Sequence, residues 1–132
     1  MQKIYAVSIK YFDVYTINFS LAFNGVRSTR FLNLSHNVLV YTKSDSNHSF
    51  FNLFKYLDSL EELDLSHNRL NLTGVDMSDS TEAVLPCLRI INLSDNPISS
   101  IEENFLLPLR ESNLQELNLQ NCQLEYIHPC EI

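Results

Sequence analysis

The feature that most constrains this chain is an eleven-residue frame that recurs along it. LEELDLSHNRL, from Leu60 to Leu70, has leucine at its first, fourth, sixth and eleventh places and Asn68 at the ninth. The frame returns as LRIINLSDNPI from Leu88 to Ile98 and as LQELNLQNCQL from Leu114 to Leu124, where Cys122 takes the asparagine place. TRFLNLSHNVL, from Thr29 to Leu39, follows it with Thr29 in place of the first leucine. A fainter copy opens the chain, with Ile4, Val7, Ile9 and Val14 in frame and Phe12 where the asparagine would stand. The units therefore start near residues 4, 29, 60, 88 and 114, at spacings of 25, 31, 28 and 26 residues. Self-similarity at such a period predicts stacked units, each unable to bury its apolar side chains alone, so that the core forms only between neighbours.

Within the frame the leucines alternate with polar residues, which is the period-two signature of a strand with one face inward. Ile101, Phe105 and Leu109 follow the Leu88 motif much as Phe54 and Leu57 precede the Leu60 motif, so the return half of each unit also recurs. The expected fold is an α/β solenoid: one curved array over residues 1–132, with a short parallel strand per repeat on the concave face and irregular or short helical convex segments. Its first repeat is degenerate and its last incomplete. Asn37, Asn68 and Asn96 are expected to form a ladder in which each side-chain amide satisfies buried backbone groups of its own and the next repeat. Cys122 can enter that ladder because a buried thiol is small and carries a weak S–H donor.

These residues resemble the leucine-rich repeat, LxxLxLxxNxL. The LSHN and LSDN turns, with phenylalanine in the return segment, look like the typical extracellular type found in the ectodomains of Toll-like receptors and chaoptin-type adhesion proteins. The resemblance covers most of the span from Thr29 to Ile132. It implies recognition or adhesion as part of a longer receptor-like array at the cell surface or outside the cell. The signalling domain and cysteine-rich caps of such receptors have no counterpart in the sequence. The terminal leucines are then expected to lie uncapped, which gives the chain a route to self-association.

Charge narrows the partners. Sixteen acidic against nine basic residues give a formal net charge of −7, which disfavours nucleic acid and anionic membrane surfaces. No apolar stretch approaches the roughly 20 residues that span a bilayer, and Lys10 and Asp13 interrupt the N-terminal apolar run before a signal-peptide core. Cys87, Cys122 and Cys130 are an odd number without CxxC spacing, and His128 neighbours Cys130 only in sequence. No phosphate loop, zinc-protease helix or serine elbow appears. The sequence assigns no catalytic residue, no metal and no cofactor.

Function is then expected on the exposed face, because a repeated fold implies no chemistry by itself. The third places read Ala6, Phe31, Glu62, Ile90 and Glu116, the fifth Ser8, Asn33, Asp64, Asn92 and Asn118, the seventh Lys10, Ser35, Ser66, Ser94 and Gln120, and the eighth Tyr11, His36, His67, Asp95 and Asn121. From these, Tyr11, Phe31, His36, Glu62, Asp64, His67, Ile90, Asn92, Asp95, Glu116 and Asn118 are the expected ligand-binding residues, facing a protein with a basic patch. His36 and His67 should sit about one strand spacing apart, roughly 5 Å. They can act as a pH-sensitive or metal-binding pair, or SHN can be simply a form of the turn; Asp64 is the carboxylate expected nearby, and no second pair of ligands accompanies them. Five Asn-X-Ser/Thr sequons stand at Asn18, Asn33, Asn47, Asn71 and Asn92. Asn47, Asn71 and Asn18 are the glycosylation candidates, since a glycan on Asn33 or Asn92 would obstruct the binding face. The alternative is an intracellular scaffold or adaptor built of the same repeats in the cytoplasm, in keeping with the odd cysteine count.

Overall fold

The computed structural model describes residues 6–8, 27–41, 50–72, 82–102 and 104–128, with backbone alone at 6–8 and 41. Alternation of leucine with polar residues produces short strands: β1 (Ala6–Ser8), β2 (Phe31–Asn33), β3 (Val40–Tyr41), β4 (Glu62–Asp64), β5 (Arg69–Leu70), β6 (Ile90–Asn92), β7 (Ser100–Ile101), β8 (Glu116–Asn118) and β9 (Tyr126–Ile127). One strand from each repeat joins a parallel five-stranded sheet in the order β1-β2-β4-β6-β8. Its register places Phe31 beside Glu62, Glu62 beside Ile90 and Ile90 beside Glu116, without a slip along the sheet. Past the strands the ladder runs on into the turns, where His36 N–H donates to the Ser66 carbonyl at 3.1 Å and His67 N–H to the Ser94 carbonyl at 3.0 Å. Two smaller parallel pairs, β3 with β5 and β7 with β9, form where the chain leaves those turns.

Inside the stack, the fourth- and sixth-place side chains Leu32, Leu34, Leu63, Leu65, Ile91 and Leu93 are all buried, and the first-place Leu60 and Leu88 lie behind them. The return segments carry short 3-10 helices, Phe50–Phe54 and Leu107–Leu109, which close the core opposite the sheet. Phe50, Phe51, Phe54 and Phe105 meet edge to face there, with Phe50–Phe51 centroids 5.4 Å apart and Phe51–Phe105 centroids 5.5 Å apart. Such pairs add roughly 0.5–1.5 kcal/mol each beyond the area they bury. The result is a solenoid of strand, turn and return segment, the architecture expected from the period.

Burial weakens toward the last described repeat. Leu114, Leu117, Leu119 and Leu124 pack against the core but are only partly buried, and Tyr126 and Ile127 are exposed. No described helix is long and apolar enough to cross a membrane.

Candidate functional site

The strands β2, β4, β6 and β8 present their third- and fifth-place side chains on the face away from the core. Phe31 is exposed, Glu62 and Ile90 are half-buried and Glu116 is exposed, so the third column alternates an apolar side chain with a carboxylate. Beside it the fifth column runs Asn33, Asp64, Asn92 and Asn118. These four share a second task that the spacing of leucines did not reveal. Each turns its Oδ1 back to accept from the backbone N–H two residues on, at 2.9 Å for Ser35, 3.0 Å for Ser66, 3.0 Å for Ser94 and 2.9 Å for Gln120. Ser35 and Ser66 add their hydroxyls to the same oxygen, at 2.6 and 2.7 Å. The arrangement is an Asx turn, a local alternative to the ladder that asparagine and aspartate favour. It fixes the fifth-place side chains, and it explains why Ser66 and Ser94 are buried rather than on the polar surface expected of the seventh place.

The eighth place is left-handed in all four described turns, with φ of 57° at His36, 55° at His67, 57° at Asp95 and 56° at Asn121. Asparagine, aspartate and histidine are the non-glycine residues that most readily accept this region. The residue types at the eighth place were therefore a backbone signal as well as a surface one. The left-handed turn stacks the rings of His36 and His67 at a centroid distance of 4.2 Å and an interplanar angle of 12°. The carboxylate paired with them is Asp95, 3.2 Å from His67 Nε2, while Asp64 has its Oδ1 engaged by Ser66. Strand spacing carries each eighth-place residue onto the next turn, so His67 finds its neighbour one repeat along rather than within its own strand. Among the described residues no three His, Cys, Asp or Glu side chains converge in a way that could hold a metal ion.

A further charged row lies along the second places. Glu61 sits between Arg30, whose Nε donates to Glu61 Oε2, and Arg89, whose Nε lies 3.5 Å from Oε1. The hydrogen bond from Arg30 holds the Glu61 carboxyl below its usual range, and the charges of Arg30 and Arg89 act in the same direction. Arg89 also reaches Glu62 at 3.7 Å, which ties this row to the third column. Arg30 lies over the Phe31 ring, 5.5 Å from its centroid.

The ninth places lie beneath the face. Asn68 Nδ2 donates to the Leu65 carbonyl of its own turn at 2.9 Å and to the Leu34 carbonyl of the repeat before at 3.0 Å, while its Oδ1 accepts from Leu39 N–H at 3.1 Å. Asn96 repeats the set with Leu93, Leu65 and Leu70. These bonds join each turn to its own and the preceding repeat, not the next, because the asparagine leans toward the earlier turn. Cys122 keeps one of them, an S–H donated to the Leu93 carbonyl at 3.1 Å. Burial pushes its thiol up from the usual range.

Asn71 is exposed just after β5. Asn33 is also exposed, and its amide oxygen is held by the serine of its own sequon. Tyr11, Asn18, Asn47 and Cys130 lie outside the described residues. Cys87 is an exposed free thiol. In comparisons with known proteins, residues 57–77 match one family described as Leucine Rich repeat, and residues 87–109 and 113–132 match a second of the same description. No curated protein matches the chain.

Proposed function

Because this chain is built of leucine-rich repeats, which are generally protein-binding modules and usually non-catalytic, we propose that its five-stranded face recognises a protein partner with a basic patch. The reading takes residues 1–132 as one array with repeats starting near 4, 29, 60, 88 and 114. It places the array in a cell-surface or secreted recognition or adhesion receptor of the Toll-like or chaoptin type. One observation carries it. The leucines that hold the stack together point inward, while Phe31, Glu62, Ile90 and Glu116 stand in a fixed row outside it and are free of that duty. A rigid row loses little side-chain freedom on binding, and its carboxylates steer a basic partner inward. Tyr11, His36, His67, Asp64, Asn92, Asp95 and Asn118 complete the proposed contact surface.

A photo-crosslinking amino acid placed in turn at Phe31, Glu116, Cys87 and Asn52 of a return segment, in the protein in its native cells, tests the reading. The expected product is a crosslinked protein whose yield falls with added salt, since exposed charges are screened beyond roughly 10 Å at 0.1 M. Crosslinks only at Cys87 or on the return segments, with none from the sheet, would overturn it. A second reading, an intracellular scaffold, draws support from the two free thiols among the described residues, Cys87 and Cys122. Mass spectrometry of the native protein separates the two: glycans at Asn47 or Asn71 favour the receptor, and an unmodified 132-residue chain favours the scaffold.

A further inference from the structure

The third column is a ruler as well as a surface. Its side chains follow one another at the spacing of strands in a sheet, about 4.8 Å, and they alternate in kind: Phe31 apolar, Glu62 acidic, Ile90 apolar, Glu116 acidic. A partner that matches all four must present side chains at nearly the same step, alternately apolar and basic. An extended peptide cannot, because side chains on one face of a strand repeat at about 6.7 Å and would drift by roughly 6 Å, more than one full strand spacing, over the three intervals. An α-helix presents one side chain per turn at about 5.4 Å, so its drift over the same distance is about 2 Å, which side-chain rotamers absorb.

We infer that the partner engages this face with a single α-helix laid across the strands, carrying apolar and basic side chains on alternate turns. This rests on the protein-recognition reading of the same face. The helix places apolar residues against Phe31 and Ile90 and lysine or arginine against Glu62 and Glu116. The second basic residue gains more than the first, because Arg89 already lies 3.7 Å from Glu62, whereas Glu116 is exposed at the edge strand of the sheet. Asp64 stands beside Glu62 with its Oδ1 held by Ser66, so it adds charge at a fixed position. Helix rather than strand is therefore set by spacing, and basic rather than acidic by charge.

Selection from a displayed library of random 20-residue peptides, with the full chain as bait, tests this. Binders are kept if at least tenfold of their affinity is lost to Glu116→Lys or Phe31→Ala, both surface changes whose folding is checked by an unaltered circular dichroism melt. The expected consensus has apolar residues seven apart with lysine or arginine three or four positions after each, and the free peptides gain helix signal on binding. Face-dependent binders with apolar and basic residues at strand period, or with no basic residue, would overturn the helix and leave the recognition reading standing. An absence of any binder sensitive to either substitution would overturn both.

Discussion

The turns at Asn68 and at Cys122 hold the same place in the frame and are held together differently. Asn68 donates to carbonyls in two repeats and accepts from Leu39 N–H, and Asn96 likewise accepts from Leu70 N–H. By the same pattern Ile98 N–H would look to the residue at 122, but a thiol offers little as an acceptor. Ile98 N–H instead bonds to the Asn96 carbonyl at 2.8 Å, across Pro97. The thiol keeps the Leu93 carbonyl and gives up the amide. The difference separates the two halves of the asparagine's work: an S–H can replace the donor, and only a chain carbonyl within the turn replaces the acceptor. It also falls where packing weakens, since Leu63 and Ile91 are fully buried and Leu117, in the same column, is only partly so.

The largest expected effect follows from this. Asn68→Ala orphans the buried Leu39 amide, at about 1–3 kcal/mol, and removes net hydrogen bonding of about 1 kcal/mol, for a total loss of about 2–4 kcal/mol in urea denaturation. The Leu34 and Leu65 carbonyls each retain a partner, in Asn37 and Asn96, which limits the loss. Cys122→Ala should lose no more than about 1 kcal/mol, because Ile98 N–H is already satisfied within its own turn. Equal losses would mean that the two turns are equivalent and that the comparison is wrong.

At the first place the frame is broken in another way. Thr29 stands where Leu60 and Leu88 stand, is fully buried, and its hydroxyl finds no hydrogen-bond partner among the described residues. Unlike Cys122, it is a polar substitute whose side-chain polar atom makes no hydrogen bond among the described residues. Thr29→Val keeps the shape and removes the hydroxyl, so the variant should be more stable by about 1–2 kcal/mol. A neutral or negative change in the denaturation midpoint would mean that the hydroxyl is satisfied in solution.

These turns also mark where sequence reading ran out. The strand places and the residues sharing each rung followed from spacing, because parallel strands in register turn sequence period into position. The Asx turns and the left-handed eighth place did not, since both depend on backbone dihedrals that a leucine pattern does not encode. Their signal lay in residue type: Asn, Asp, Asn, Asn at the fifth place and His, His, Asp, Asn at the eighth. The Arg30, Glu61 and Arg89 row was equally visible in spacing at the second place, which lies outside the alternation of inward and outward strand positions. That His67 pairs with Asp95 follows only once the turn is known to project its side chain along the stack. Phe50 and Phe51 gave no periodic signal because the return segments vary in length, and packing alone brings them to Phe105.

Restoring the asparagine sharpens the comparison with a smaller effect. Cys122→Asn keeps a donor for the Leu93 carbonyl and, as Asn68 does for Leu65 and Asn96 for Leu93, adds one for the Leu119 carbonyl of its own turn, for a gain of about 1 kcal/mol at neutral pH. The gain should depend on pH. Burial raises the Cys122 thiol in the folded chain, so the stability it contributes is complete below the ordinary thiol range, about 8.5, and is lost as pH rises through the folded value. The asparagine variant has no such loss. Its advantage over the native chain in paired denaturation curves should therefore widen above about pH 8.5. A constant difference across that range would show that Cys122 is solvated within its turn.

The smallest effect concerns the row that joins the repeats on their outer edge. Glu61 is held below the usual glutamate range by the hydrogen bond from Arg30 first, with the charges of Arg30 and Arg89 in support. Its contribution to stability is thus present above that range and lost as pH falls through the lowered value. Glu61→Gln should remove that acid-sensitive part, so the native chain and the variant differ slightly at neutral pH and converge on acidification. Exposure of both arginines keeps the difference small and makes it shrink with added salt. If the two curves instead remain parallel from neutral to acid pH, Glu61 acts through packing against Arg30 and Arg89 rather than through charge, and the outer row is a spacer between repeats and not an ion-pair ladder.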